Sequence, residues 1–161
     1  MTPSSEPIHG RVHLKAGRDK PVRNRHPWVF SGAIKRLEGD PQPGNLVTIT
    51  DSRGRDLALA YYNPRSQIQG RILSWNPQDN LSDDFWRAKL QQAITARQAL
   101  ALEPETTAYR LVNAEADGLP GLIVDKYGDY LVVQCLTLGI DQRRDLLVGL
   151  LEELLQPQGI L

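Results

Sequence analysis

The chain has 161 residues, 40% of them hydrophobic, with a single cysteine. That is enough for one or two domains with their own cores, and Cys135 alone excludes an internal disulfide framework. Lys+Arg and Asp+Glu balance at 19 each, yet residues 1–75 carry 12 basic and 6 acidic residues, a net +6, and residues 76–161 carry 7 and 13, a net −6.

A basic first half suits a polyanion such as nucleic acid, although small domains often carry a solvated basic surface. Residues 1–7 read as an unstructured tail without the apolar core of a signal peptide. No apolar run approaches the roughly 18 residues of a membrane helix, so no membrane partner is expected. With one cysteine and no leader, a reducing, cytoplasmic setting is expected.

In chain order, a first strand is expected over 8–15, followed by a basic turn at Gly17-Arg18-Asp19-Lys20-Pro21. A short helix or loop spans 22–28. Arg23 and Arg25 precede an apolar run, Trp28-Val29-Phe30, in which Pro27 keeps His26 out of helical angles. Trp28 and Phe30 read as core anchors, with base stacking as the alternative, and Gly32 as a bend or close approach. After a breaker-rich loop over 38–44, three strands follow at 46–50, 57–62 and 67–73, with Gly70 as a bulge or bend. In the second, Tyr61 and Tyr62 alternate, so one of them can face solvent. Short strands at this spacing imply a small barrel or sandwich.

Residues 74–80 read as a linker. Ser82 is the expected N-cap of a helix running to about 102, with Asp83 and Asp84 favouring its N-terminal dipole and Leu81 and Trp86 spaced as a staple. Trp86, Leu90, Ala93 and Ile94 fall on one face, and Pro104 is the expected stop. A strand over 109–112, a loop over 113–120 and a hairpin of 121–126 with 130–136 come next. Asp141 is the expected cap of a last helix with Leu147, Leu150, Leu151 and Leu154 on one face. Its charges, Arg143 and Arg144 first and Glu152 and Glu153 last, oppose the helix dipole. Ile160 and Leu161 begin an apolar strand that reads as truncated.

Several of these stretches resemble one family. They are Gly17-Arg18-Asp19-Lys20-Pro21, the run from Arg25 to Ile34, the run from Tyr61 to Ile68, and the run from Tyr109 to Asp125. Together they resemble the bacterial S-adenosylmethionine-dependent large-subunit rRNA (cytosine-C5) methyltransferases that carry an N-terminal PUA domain. The resemblance implies an α+β chain. A PUA-like β pseudobarrel over 1–75 binds RNA, a linker and connecting helix span 76–102, and a small central α/β domain spans 103–161. A C-terminal Rossmann-like methyltransferase domain, with the family's catalytic cysteines and its S-adenosylmethionine, would be absent from this chain.

Other patterns favour plain structural roles. Cys135 lies in an apolar strand without a basic neighbour in sequence and reads as core. Asn113-x-Glu115-x-Asp117-Gly118 mimics the start of a calcium loop, but Val124 stands where the closing acid belongs, so a polar turn is expected. His9 and His13 have metal spacing only on a helix, and the segment reads as strand. No catalytic residue, cofactor site or metal site is therefore expected. The expected RNA-binding residues are Arg18, Lys20, Arg23, Arg25 and Arg65, with rRNA as partner. The alternative is a non-catalytic oligomerisation or protein-interaction module, for which a homodimer stays open.

Overall fold

The segment from Ile8 to Ser74 forms one six-stranded sheet: β1 (Ile8–Leu14), β2 (Trp28–Phe30), β3 (Ile34–Gly39), β4 (Leu46–Thr50), β5 (Asp56–Tyr62) and β6 (Ile68–Ser74). A one-turn helix, α1 (Lys20–Arg23), connects β1 to β2. The computed structural model describes residues 6–98, 100 and 105–161. The expected tail over 1–5 and the expected helix end at 101–104 fall outside the described residues. Residues 6–80 and 81–161 are two separate compact units.

Strand order in the first unit is β2-β6-β5-β4-β1-β3. Every neighbouring pair is antiparallel except β1 and β4, which are parallel. The period of two places Val12 and Leu14, Val47 and Ile49, and Ala58, Ala60 and Tyr62 on one face, where they form a core with Val22, Val29 and Ile72. The register confirms the face, with Val47 opposite Ala60 and Ile49 opposite Ala58. The other face of the central pair, where Leu46 meets Tyr61 and Thr48 meets Leu59, is buried as well. Central strands covered on both sides have no polar face, so Tyr61 and Tyr62 are both buried and neither is exposed as one was expected to be.

Gly70 is a close-approach position. It pairs with Val29, whose Cβ would lie 3.1 Å from a Cβ built on the glycine. Beneath the sheet, the buried His13 ring meets the Thr50 hydroxyl at 2.9 Å and the Glu38 carboxylate at 2.8 Å, and it has no metal-site geometry.

The second unit contains α2 (Asp83–Gln98), β7 (Ala108–Asn113), β8 (Leu122–Tyr127), β9 (Tyr130–Cys135), α3 (Leu138–Asp141), α4 (Arg144–Leu155) and β10 (Gly159–Ile160). Its sheet order is β10-β9-β8-β7, antiparallel except for the β9–β10 pair. Trp86, Leu90, Ala93 and Ile94 are buried on α2, and Leu147, Leu150 and Leu151 on α4. Within this unit α2 packs on β7 and α4.

Two expectations, on Asp141 and Cys135, are corrected here. Asp141 ends α3 and does not cap the last helix; its carboxylate pairs with Arg144. The unfavourable charges of α4 are absorbed by partners. Arg143 is buried with its guanidinium 5.7 Å from the Trp86 ring centroid, and Glu153 binds Arg87 at 2.7 Å. Cys135 is half-buried, not core, and Arg144 reaches its sulfur.

The calcium-like string is a 3-10 turn over Ala114–Asp117. Asp117 receives both guanidinium nitrogens of Arg97, at 2.6 and 2.8 Å, and the Asn113 N–H at 2.6 Å. Among the described residues, no group of three or more His, Cys, Asp or Glu is placed to hold a metal ion, and no helix is long and apolar enough to cross a membrane.

Candidate nucleic-acid interface

Pro21 sits in the first turn of α1, where its missing N–H costs nothing. The helix ends in a Schellman motif: Arg25 N–H donates to the Val22 carbonyl at 3.0 Å, and His26 N–H to the Pro21 carbonyl at 2.9 Å. The left-handed position of that motif usually belongs to glycine. Here it is Arg25, at φ 64°. Its guanidinium carbon lies 5.2 Å from the Trp75 ring centroid. The backbone thus holds an arginine in a left-handed, strained conformation above an aromatic face.

The basic segment divides by partner. Arg23 donates to Asp19 at 2.6 Å and to Asp51 at 2.9 Å. Asp51 is 2% exposed and also accepts from the Arg55 guanidinium at 2.7 Å and from the backbone N–H groups of Arg53 and Arg55. Burial pushes the Asp51 carboxyl up, but those donors outweigh it and hold it at about 2. The Arg23 hydrogen bond likewise lowers Asp19, and Asp19 raises Arg23. Arg23 is therefore a structural tie whose charge is already matched. Arg18, Lys20 and Arg25 are exposed, and no ion pair with a carboxylate is formed by them among the described residues.

Arg65 stands apart. It lies in the β5–β6 turn, where its N–H donates to the Asn63 side chain at 3.0 Å. Trp75, which carries Arg25, follows the other end of β6. Seven strand residues intervene, about 20 Å of chain. Arg65 and Arg25 do not converge.

The expected core pair is also corrected. On β2 only Val29 points inward, at 2% exposure, while Trp28 is half-buried and Phe30 is 47% exposed. Strict alternation along Trp28-Val29-Phe30 carried this signal, since both aromatics share the face opposite valine. Trp28 meets His26 and Phe30 edge-on, at ring separations of 5.8 and 6.3 Å, and the Arg71 guanidinium lies 5.6 Å from its centroid. Arg71 and Trp75, distant in sequence from the basic segment, had no local signal.

Residues 12–75 match the family model of a PUA-like domain. Over longer spans the chain resembles proteins named ribosomal RNA large subunit methyltransferase I. It is 43% identical over 142 residues to that of Erwinia tasmaniensis, covering 88% of this chain and 36% of the relative. It is 42% identical over 140 residues to that of Pseudoalteromonas translucida, covering 87% and 35%. It is 40% identical over 144 residues to that of Escherichia coli O127:H6, covering 89% and 36%. The chain thus spans little more than a third of the length of the curated relatives it matches.

A putative SAM-dependent methyltransferase from Streptococcus mutans shares the fold, with a TM-score of 0.79 at 22% identity over 94% of this chain and 39% of that one. A putative methyltransferase complexed with SAH does so too, at 0.79 and 20%, over 94% of this chain and 38% of that one.

The described residues do not fit an S-adenosylmethionine site. The passage from β9 into α3, Leu136-Thr137, is not a glycine-rich strand-to-helix turn, and β7 to β9 are antiparallel.

Proposed function

We propose that this chain is the RNA-recognition part of a cytoplasmic, S-adenosylmethionine-dependent large-subunit rRNA methyltransferase of the cytosine-C5 kind. Methyl transfer belongs to the part of the parent protein that these residues do not span. The observation that carries the reading is the α1 segment. On a PUA-like domain it presents Arg18, Lys20 and Arg25 to solvent without carboxylate partners among the described residues, beside the exposed His26 and Phe30 rings. Cations so placed bind phosphate by releasing counterions. The resemblance to named rRNA methyltransferases supports rRNA as the polyanion.

The test is fluorescence anisotropy of a labelled rRNA hairpin at several salt concentrations. Affinity is expected to fall linearly on logarithmic axes, with a slope of roughly −2 to −3.5 for about three to four neutralised phosphates. No binding at low salt sinks the reading. A second reading, an oligomerisation or protein-interaction module such as a homodimer, draws on exposed Tyr127, Tyr130 and Leu136 in the second unit. It predicts concentration-dependent self-association without RNA affinity.

A further inference from the structure

We propose that the aromatic cavity beside β2 receives one unpaired nucleobase, a deepening that rests on the RNA-binding reading. The cavity measures about 170 Å³, and its lining includes Arg18, Pro21, His26, Trp28, Phe30 and Ala33. Drug-sized ligands occupy roughly 300 Å³ or more, so this one suits a single planar ring system with the rest of the nucleotide outside.

Three observations select a base as the occupant. First, the wall is aromatic. His26 and Phe30 stand 6.4 Å apart and 38° from parallel, while Trp28 lies edge-on to both. The two outer side chains, His26 and Phe30, are exposed, so this wall faces solvent. Second, the charge is complementary. Arg18 lines the cavity, Arg71 sits over Trp28, and no acidic residue is in the lining. The neighbouring cavity beneath Arg25 and Trp75 has Asp56 in its wall, which disfavours a nucleotide there. Third, the position is accessible. β2 is an edge strand whose inward residue is Val29, so the aromatic face of Trp28 and Phe30 is not needed for the core. A base inside a duplex cannot reach such a cavity, so the surface prefers looped or single-stranded RNA.

The test uses the 161-residue chain and three labelled probes: a short single-stranded RNA, an abasic strand of the same length and charge, and a duplex. The wild type should bind the base-containing strand about tenfold more tightly than the abasic one. Phe30→Ala should erase that preference while leaving duplex affinity and the melting temperature unchanged. The abasic probe leaves the protein unaltered, so the result does not hinge on how the variant folds.

Equal wild-type affinity for the two strands, or a preference that survives Phe30→Ala, overturns the assignment while salt-dependent RNA binding still stands. Absence of binding to all three probes removes the RNA reading as well. Self-association abolished by Phe30→Ala, with RNA affinity unchanged, gives the cavity to a second copy of the chain and likewise overturns it.

Discussion

Arg23 and Asp51 are joined at 2.9 Å across 28 positions of sequence, and the aspartate is buried. The pair ties the helix of the basic segment to the β4–β5 turn. Removing Arg23 takes one donor from a buried carboxylate that still holds Arg55 and two backbone N–H groups. Arg23→Ala should therefore lower the melting temperature, whereas Lys20→Ala should leave it unchanged. The RNA salt slope should respond in the opposite order, falling more for Lys20→Ala, because Arg23 is already neutralised. Scanning fluorimetry and salt-series anisotropy on the two variants check both orders.

The same carboxylate sets a pH dependence. Asp51 is held at about 2, below its ordinary 3.8, so its ionised form favours folding. That stability is complete above the unfolded value and is lost as pH falls through 3.8 towards 2. Asp51→Asn should weaken the protein at neutral pH and flatten the acid limb of stability. Asp19 and Glu38, also lowered, keep part of that limb. Thermal unfolding of both proteins at a series of pH values reads the difference; parallel acid limbs would show that Asp51 does not contribute.

Arg25→Gly separates strain from function. Glycine is at home in the left-handed position, so the substitution relieves about 1 kcal/mol of backbone strain. It also removes a cation–π contact over Trp75 worth about 0.5–1 kcal/mol. The two nearly cancel, and the melting temperature should stay close to wild type while RNA affinity drops. A large loss of stability instead would make Arg25 a structural residue.

What the sequence disclosed and what it hid follow from range. Local patterns disclosed most of the strands, their turns and the α2 face, because period and capping residues act within a few positions, but not β3 over Ile34–Gly39. Val29 went inside and its larger neighbours outside by the alternation of β2, and its close contact with Gly70 is fixed across 41 positions. Tyr61 and Tyr62 were both buried because β5 became central, which its own residues do not state. The basic cluster was visible as charge. That Asp51 claims Arg23, that Trp75 holds Arg25 and that Arg65 lies apart depended on tertiary pairing.

Two tryptophans should behave differently when removed. Trp86 is 1% exposed and packs in the second unit's core, so Trp86→Ala should cost roughly 3–5 kcal/mol. Trp28, half-buried on the outer face of β2, should cost clearly less. Urea unfolding of the two variants ranks them, and an equal loss would return Trp28 to the core.

Arg65 tests whether one phosphate path joins both ends of the β5–β6 hairpin. It is exposed in a turn, and its separation from Arg25 along β6 is about 20 Å. Two phosphates contacted so far apart belong to different stretches of a folded RNA. Single substitutions Arg25→Ala and Arg65→Ala should each reduce the salt slope by about 1 if both residues meet phosphate. Their effects on binding free energy should then add to within about 0.5 kcal/mol, as for independent sites. A short RNA too small to bridge the hairpin should lose only the Arg25 contribution. The measurement is anisotropy with a long and a short RNA against the two single variants and the double. An Arg65→Ala variant that binds the long RNA as wild type does would confine the interface to the α1 segment.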